Sequence, residues 1–204
     1  RWTIAQTEGL PGELTFGQPP MLLCAIVLIG TLVWLAVRRR RLLGILGTVY
    51  GITKIQQLVL THKDVDHIGN LPHFLKLVRV EMIYVPLGMQ QTDAYKRLVV
   101  PYLGTTKVRE VRAGMRLNEW TTVQHPLESG TGENEDSVAL LVNVGPKQLM
   151  MTGDLDQAGE ERIIQNNQCR QVELLKLGHH GSKTSTAPSF VQALKPHIGV
   201  VSAG

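Results

Sequence analysis

Cysteine is scarce in this 204-residue chain, which has only Cys24 in an apolar run and Cys169 in a polar stretch. Two cysteines placed in this way exclude a disulfide framework and a thiolate metal cluster. Excess charge is also scarce, because the formal net charge is +4 and the run from Arg38 to Arg41 supplies all of it. The rest of the chain is close to neutral, which argues against a surface that coats nucleic acid. A metal site in this protein must therefore use imidazole and carboxylate ligands.

One long hydrophobic run is present, "MLLCAIVLIGTLVWLAV" at residues 21–37, and it contains no charged residue. Its length is at the lower end of what crosses a hydrocarbon core of about 30 Å. The four arginines follow the run, whereas a signal peptide carries its positive charge before the apolar region. We predict a transmembrane helix over residues 21–37, with residues 1–20 as an extracytoplasmic segment. The alternative is a buried core helix, which the adjacent arginine run disfavours.

The next apolar stretch, residues 42–52, breaks off too early to form a second span. About eleven helical residues extend only about 16 Å. Residues 38–53 are therefore interpreted as a basic turn and a truncated second helix. Because arginines are costly to move through a bilayer, we expect residues 54–204 to stay on the cytoplasmic side.

From residue 54 onward, short apolar runs alternate with amphipathic segments, and Gly, Pro, Asp and Asn separate them. This pattern is typical of an α/β domain. The predicted strands are residues 57–61, 82–85, 138–144, 148–152, 172–177 and 198–202. The predicted helices are residues 71–77, 92–102, 156–166 and 188–194.

The first cluster of candidate ligands lies in "LVLTHKDVDHIGN", where an apolar strand runs into His62, Asp64, Asp66 and His67. A loop that leaves a strand end can direct several side chains toward one point, as two neighbouring divalent ions require. Imidazole and carboxylate together suit zinc or manganese. The alternative is a solvated turn whose charges are incidental.

The second cluster lies in "LMMTGDLDQAGEERI", where Gly153 permits a tight exit from a strand and Asp154 follows it. The carboxylate of Asp154 is placed where it could bridge two ions, although Gly-Asp turns also end strands without any such role. The nearby Asp156, Glu160 and Glu161 are interpreted as an acidic first turn and an exposed helix face.

The third cluster lies in "VELLKLGHHGSKTST", where a strand runs into His179 and His180. Hydroxyls and a lysine after Gly181 could bind a phosphate, although Lys183 could equally be an ordinary surface residue. Sites in open α/β folds assemble at the carboxyl ends of strands. We therefore predict that one site collects His62, Asp64, Asp66, His67, Asp154 and either His179 or His180.

These motifs, with "NEDSVALLV" and "KPHIGVVSAG", resemble in order and spacing the metallo-β-lactamase-like domain of ComEC-type DNA-internalisation competence proteins. The resemblance covers nearly the whole chain. The HHGS block, and an aspartate in place of the second histidine of H-x-H-x-D-H, make it specific. It implies a metallo-β-lactamase-like αββα sandwich in residues 54–204, preceded by one transmembrane helix. The family's metal motif falls on His62, Asp64, Asp66, His67, Asp154 and His179 or His180.

The resemblance also implies an integral protein of the bacterial plasma membrane that acts in natural transformation. Its lactamase-like domain would degrade one strand of incoming DNA with two zinc or manganese ions. Asp66 would serve as ligand or base, His180 as a second catalytic residue and Asp154 as a bridge. The implied partners are single-stranded DNA, the membrane and other components of the DNA-uptake machinery.

The chain departs from the family pattern in three places. No "DVGQGDA"-like segment precedes the first metal motif, and the chain stops at "VVSAG", where the family continues with an asparagine and a histidine-proline pair. The third-motif histidine has no clear match, since Asn134 and Ser137 stand in its region. His125 is a candidate substitute, although we interpret it as a surface-loop histidine. We therefore expect an incomplete sandwich.

Three functions compete on these grounds. The first is a membrane-tethered, metal-dependent nuclease, which the three ligand clusters favour. The second is a non-catalytic remnant of a DNA-uptake channel, because absent strands would leave unpaired edges. The third is another hydrolase of this fold that acts on a thioester or on RNA, which fold alone does not exclude.

Overall fold

The computed structural model describes residues 2–6, 53–166 and 169–202. These residues form two sheets, with strand orders β1-β9-β8-β7-β6-β5 and β2-β3-β4. The strands are β1 Trp2–Gln6, β2 Lys54–Val59, β3 Arg79–Pro86, β4 Lys107–Val111, β5 Thr121–His125, β6 Ala139–Val144, β7 Lys147–Met151, β8 Leu174–Lys176 and β9 Ile198–Ser202. The α-helices are α1 Val65–Ile68, α2 Leu71–Leu77, α3 Asp93–Leu98, α4 Gln157–Gln165 and α5 Pro188–Leu194.

The small sheet is parallel, and helices cover its outer face. β2 pairs with β3 and β3 with β4, so the connections must cross over the sheet, and α2 and α3 lie in those crossovers. Leu71 and Phe74 of α2 and Tyr95 of α3 are buried with Ile83 and Val85 of β3. Burial of these large apolar side chains is the main stabilisation of this half.

The large sheet combines an antiparallel part, β5-β6-β7, with a parallel part, β7-β8-β9. Helices α4 and α5 pack on its outer face, where Ile163, Phe190 and Leu194 are fully buried against Met150 of β7 and Leu175 of β8. Pro188 occupies the first turn of α5, where its missing N–H leaves no hydrogen bond unmade.

A third apolar layer joins the two sheets face to face. Tyr84 and Val111 of the small sheet pack with Val123, Leu140 and Val142 of the large sheet. The described layers are therefore helix, sheet, sheet and helix, which is the predicted αββα sandwich. The small sheet has three strands in the described part of the chain.

In the N-terminal region the structure describes only residues 2–6. None of the helices in residues 53–166 and 169–202 has the length and apolar character to cross a membrane. The predicted span 21–37 and truncated helix 42–52 lie outside the described residues. Trp2–Gln6 pairs antiparallel with Ile198–Ser202 at the edge of the large sheet.

Candidate metal centre

Three loops that follow strand ends meet at one edge of the sandwich. They follow β2 in the small sheet and β7 and β8 in the large sheet. His179 N–H donates to the Gly153 carbonyl at 3.2 Å and so links the loops after β7 and β8, while Val138 N–H, just before β6, donates to the Thr61 carbonyl at 2.9 Å and so links the loop after β2 to the large sheet. Gly153 has φ +58°, and a Cβ there would lie 2.9 Å from the Thr61 Cβ. Only glycine lets the two sheets approach this closely here.

The carboxylate of Asp154 is the centre of the cluster, and it is 2% exposed. Its Oδ2 lies 3.2 Å from His67 Nε2, 3.3 Å from His180 Nε2 and 3.9 Å from His62 Nε2. Three imidazoles from two different loops therefore face one oxygen atom. Side chains arranged in this way can hold a divalent ion after a small change in their positions.

Two aspartates complete the cluster on its exposed side. Asp66 Oδ2 lies 3.5 Å from His180 Nε2 and 3.7 Å from His67 Nε2, and Asp64 Oδ2 lies 3.9 Å from His62 Nε2. Two groups of potential ligand atoms result, and each spans no more than 4.8 Å. One is Asp66, His67, Asp154 and His180, and the other is His62, Asp64 and Asp66. Because Asp66 is in both groups, the arrangement fits two adjacent ions that share a ligand.

Two buried polar atoms of the donor set indicate whether it suits a metal ion. His62 Nε2 and Asp154 Oδ1 are buried, and neither has a hydrogen-bond partner in the described part of the chain. A buried polar atom without a partner costs about 1–3 kcal/mol, so such atoms in a folded protein need an explanation. A bound cation would satisfy the His62 lone pair. The residues present therefore fit a divalent ion of the zinc or manganese class.

Hydrogen bonds behind the imidazoles fix their orientation. His180 Nδ1 lies 2.9 Å from the Ser202 carbonyl oxygen, which can only accept, so Nδ1 carries a proton and Nε2 faces the cluster. His62 Nδ1 lies 3.0 Å from Thr61 Oγ1 and 3.4 Å from Ser137 Oγ. Ser137 Oγ also accepts from the Asp154 N–H at 3.2 Å, so it joins the first and second clusters.

Burial and neighbouring side chains shift the pKa values of three members of the site, in different directions. Burial lowers the pKa of His62 to about 3, and the neighbouring His67 adds to this shift. Burial alone would raise the pKa of Asp154, but hydrogen bonds from His180 and His67 outweigh it and hold the pKa well below its ordinary value. The same hydrogen bond raises the pKa of His180. At neutral pH, His62 is thus a neutral imidazole and Asp154 a carboxylate.

A lysine lies on the far side of the central carboxylate. Lys176 of β8 donates to the Gly153 carbonyl at 3.0 Å, and its Nζ lies 3.8 Å from Asp154 Oδ1. Burial lowers the pKa of Lys176, whereas the adjacent Asp154 opposes that shift. The ammonium group therefore places positive charge beside Oδ1 and leaves Oδ2 facing the histidines.

The structure places His179 apart from the two ligand groups, while His180 belongs to one of them. His179 Nδ1 lies 3.4 Å from Thr184 Oγ1, on the exposed loop that the sequence proposed for phosphate. Ser182 Oγ in that loop lies 2.9 Å from the same Thr184 oxygen, so these hydroxyls contact each other. Lys183 is exposed there.

Two interpretations from the sequence are corrected by burial. His125 is 1% exposed and is not a surface-loop histidine, because it is the last residue of β5 and its Nδ1 lies 3.0 Å from the Ser137 carbonyl oxygen. It belongs to neither ligand group. Glu160 is 1% exposed, although it was interpreted as part of an exposed helix face. Its carboxylate accepts from the backbone N–H groups of Thr186 and Ala187, at 2.6 and 2.8 Å.

Other residues of the same helix behave as expected. Asp156 precedes α4 and accepts from the Gly159 N–H at 2.8 Å, which is the geometry of an N-cap. Glu161 is exposed. Sequence reasoning missed Thr61, Ser137 and Lys176 as contacts of the candidate ligands. The one available signal was their position, since each lies within three residues of the end or beginning of a predicted strand.

Comparisons with known proteins agree with this geometry. The family model described as the metallo-beta-lactamase superfamily matches residues 25–110. The chain is 32% identical over 162 residues to ComE operon protein 3 of Bacillus subtilis (strain 168), which covers 77% of this chain. It is 31% identical over 157 residues to Competence protein ComA of Neisseria gonorrhoeae, which covers 76% of this chain. The chain spans 21% of the length of each of these relatives.

Among solved structures, the chain is similar to a CmlA beta-hydroxylase E377D mutant, with 16% sequence identity and a TM-score of 0.48. That match covers 71% of this chain and 35% of the other. The sandwich, the ligand cluster and the curated relatives lead to one conclusion: the chain carries a metallo-beta-lactamase domain of the ComEC type and belongs to that superfamily.

Proposed function

We propose that this domain is a metal-dependent phosphodiesterase that cleaves DNA during its uptake by a bacterial cell. The observation that carries the proposal is the meeting of three imidazoles around Asp154 Oδ2, with Asp66 in the same group and Asp64 beside His62. The matches to ComE operon protein 3 and to Competence protein ComA support DNA as the substrate and the uptake machinery as the setting.

In this proposal His67, Asp154 and His180 would hold one ion, His62 and Asp64 would hold a second, and Asp66 belongs to both groups of potential ligands. When bound, such ions act as Lewis acids that polarise a phosphoryl oxygen and lower the pKa of water. The side chains of the cluster define the shape of the site and transfer protons to and from the reacting groups. The buried His62 and Asp154 form the floor of the site, while the Asp64 and Asp66 side chains are 40% and 54% exposed at its mouth.

Asp66 and His180 are the proposed catalytic pair. Asp66 has the most exposed side chain of the three carboxylates in the cluster, so its carboxylate can take a proton from an attacking water molecule on the solvent side. His180 is held by the Ser202 carbonyl through Nδ1, which keeps its Nε2 directed at the same place. In this orientation His180 Nε2 lies between the two carboxylates, 3.5 Å from Asp66 Oδ2 and 3.3 Å from Asp154 Oδ2.

The direct test is cleavage of a labelled single-stranded DNA by the full chain with added manganese or zinc. His62→Ala and Asp66→Ala should each reduce the rate by about 100-fold or more, because even substitutions next to metal ligands cost about 10- to 100-fold. Asp93→Asn is a matched control, since Asp93 is an exposed carboxylate outside both ligand groups. Cleavage that persists unchanged in the His62 and Asp66 variants would refute the proposal. Faster cleavage of an RNA or a thioester would favour another hydrolase of this fold.

A second candidate function is a non-catalytic remnant of a channel protein. It is favoured by the small sheet, which has three strands among the described residues, and by a crevice of about 790 Å³ beside it. Gln57, Met82 and Trp120 are among the residues that line this crevice. A cooperative melting transition that moves to higher temperature with added metal would contradict the remnant hypothesis.

We also propose that residues 21–37 hold the domain at the plasma membrane. The uncharged apolar run followed by Arg38 to Arg41 supports this part of the proposal. Membrane fractions washed with alkaline carbonate should retain the full chain and lose a variant without residues 21–37. Release of both proteins by the wash would contradict membrane tethering.

A further inference from the structure

One hydroxyl group lies between two of the candidate metal-ligating imidazoles. Thr61 Oγ1 is 3.0 Å from His62 Nδ1 and 3.4 Å from His67 Nδ1, and the two ring centroids are 4.0 Å apart. We propose that Thr61 is a positioning residue whose single hydroxyl orients both imidazoles, so that their Nε2 atoms face Asp154 and a metal ion. This inference rests on the metal binding contained in the proposed function, and it does not require that the substrate be DNA.

The hydroxyl suits this task because it has one proton and two lone pairs. It can donate to one Nδ1 and accept from the other, or it can accept from both. In the present arrangement His67 Nε2 is 3.2 Å from Asp154 Oδ2, which accepts, so a neutral His67 has its Nδ1 lone pair toward Thr61. His62 Nδ1–H can then donate to the same oxygen, which leaves a lone pair on His62 Nε2.

Metal binding through both Nε2 atoms requires a proton on both Nδ1 atoms, and each of these N–H groups then needs an acceptor. Thr61 Oγ1 can accept from both without any movement of the rings. Ser137 Oγ, at 3.4 Å from His62 Nδ1, reaches only one of the two imidazoles and already accepts from the Asp154 N–H. Thr61 is thus the shared contact that serves either proton arrangement.

The position of Thr61 is itself well defined. Its carbonyl accepts from the Val138 N–H at 2.9 Å, and its side chain packs against Gly153, where a Cβ would lie 2.9 Å from the Thr61 Cβ and 3.1 Å from its methyl carbon. The hydrogen bond from Val138 fixes the Thr61 backbone, and the close approach of Gly153 restricts the Thr61 side chain to few rotamers. The hydroxyl is therefore directed at the histidines by the packing between the two sheets.

The test compares Thr61→Val, which keeps the shape and removes the hydroxyl, with Thr61→Ser, which keeps the hydroxyl. Thr121→Val is the matched control, since Thr121 is 3% exposed and its Oγ1 has no hydrogen-bond partner among the described residues. Each full-length protein is titrated with cobalt(II), and the affinity, the stoichiometry and the visible spectrum are recorded. Thermal melting in chelator reports whether each variant is folded.

Thr61→Val should bind cobalt(II) about 10- to 100-fold more weakly and with an altered spectrum, whereas Thr61→Ser and Thr121→Val should stay within about 3-fold of the parent. Equal affinity and an identical spectrum for Thr61→Val would overturn the proposal. A second measurement does not depend on any variant: in the zinc-loaded parent protein, nitrogen NMR should show a proton on Nδ1 of His62 and His67. Metal bound at either Nδ1 would overturn it as well. A parent protein that binds metal and fails to cleave DNA would refute only the proposed substrate.

Discussion

Replacement of Gly153 by alanine tests the contact on which the site depends. Gly153 and Gly145 have the same φ of +58°, so alanine meets the same backbone strain at both positions. A Cβ at Gly145, in the β6–β7 turn, would have nothing within 4 Å. A Cβ at Gly153 would lie 2.9 Å from the Thr61 Cβ and 3.2 Å from the Ser137 Cβ. The difference between the two variants therefore isolates the effect of crowding between the two sheets.

The expected difference in melting temperature follows from two energetic costs, the backbone strain of alanine and the crowding of its methyl group. The left-handed conformation costs alanine about 1–2 kcal/mol, and this cost is common to Gly145→Ala and Gly153→Ala. An extra methyl group in a well-packed region costs about 1–3 kcal/mol more, and only Gly153→Ala should incur it. Since 1 kcal/mol corresponds to about 2–4 °C for a chain of this size, Gly153→Ala should melt about 2–12 °C below Gly145→Ala.

Thermal melting and urea unfolding of both variants, each in chelator, provide the measurement. Metal affinity should follow the same order, because a shift of Thr61 or Ser137 moves the hydroxyls that contact His62. Gly145→Ala should keep the parent's cobalt(II) affinity. Melting temperatures of the two variants within 1 °C of each other would show that the close approach of Thr61 and Gly153 is not a feature of the folded protein.

Further predictions concern metal, a buried carboxylate and pH. Manganese or zinc at about 100 times its dissociation constant should add about 2.7 kcal/mol to the free energy of unfolding, and a chelator should reverse this gain. A melting temperature that does not change when metal is added would contradict metal binding. Glu160→Ala removes the carboxylate that accepts from the Thr186 and Ala187 N–H groups, and it should lower the free energy of unfolding in urea by about 2–4 kcal/mol. The loss is smaller than the full strength of two charged hydrogen bonds because the variant no longer buries a charge. Glu161→Ala, at an exposed position, should change the free energy of unfolding by less than about 0.5 kcal/mol. Because the folded pKa of His62 is about 3 and its ordinary value is 6.5, the unfolded chain binds a proton first as pH falls. In chelator, stability contributed by His62 should fall by up to about 1.4 kcal/mol per pH unit below pH 6.5, and His62→Asn should flatten that slope.

Much of the site was predictable because its ligands follow apolar strands directly in the sequence. His62 and Asp154 each come within three residues of a strand end, and the carboxyl ends of strands meet at one edge of a sandwich. Helices over residues 71–77 and 188–194 and the strand over residues 198–202 also agree with the structure. These segments carry strong local signals, such as Pro188 at a helix start and the β-branched run before Ser202.

Other elements depend on contacts that a single sequence does not show. β4 and β5, Lys107–Val111 and Thr121–His125, were missed because few of their residues are apolar and pairing with neighbouring strands stabilises them. Glu160 was interpreted as exposed because its partners, two backbone N–H groups, lie 26 and 27 residues away. Pairing of Trp2–Gln6 with β9 joins opposite ends of the chain, and no local pattern encodes it.

The histidine pair explains why the third cluster needs so much support from the rest of the fold. His179 and His180 have φ values of +42° and +53°, a left-handed conformation that costs a non-glycine residue about 1–3 kcal/mol. Such strain persists only where surrounding contacts enforce it. Here Ser182 N–H donates to the His179 carbonyl at 2.8 Å, and the Ser202 carbonyl holds His180 Nδ1 at 2.9 Å. The strained backbone turns His180 back over the end of β8, which is how its Nε2 comes within 3.3 Å of Asp154 Oδ2. Glycine would relax both positions but would supply no imidazole, so the chain keeps the strain at the place where the ligand is needed.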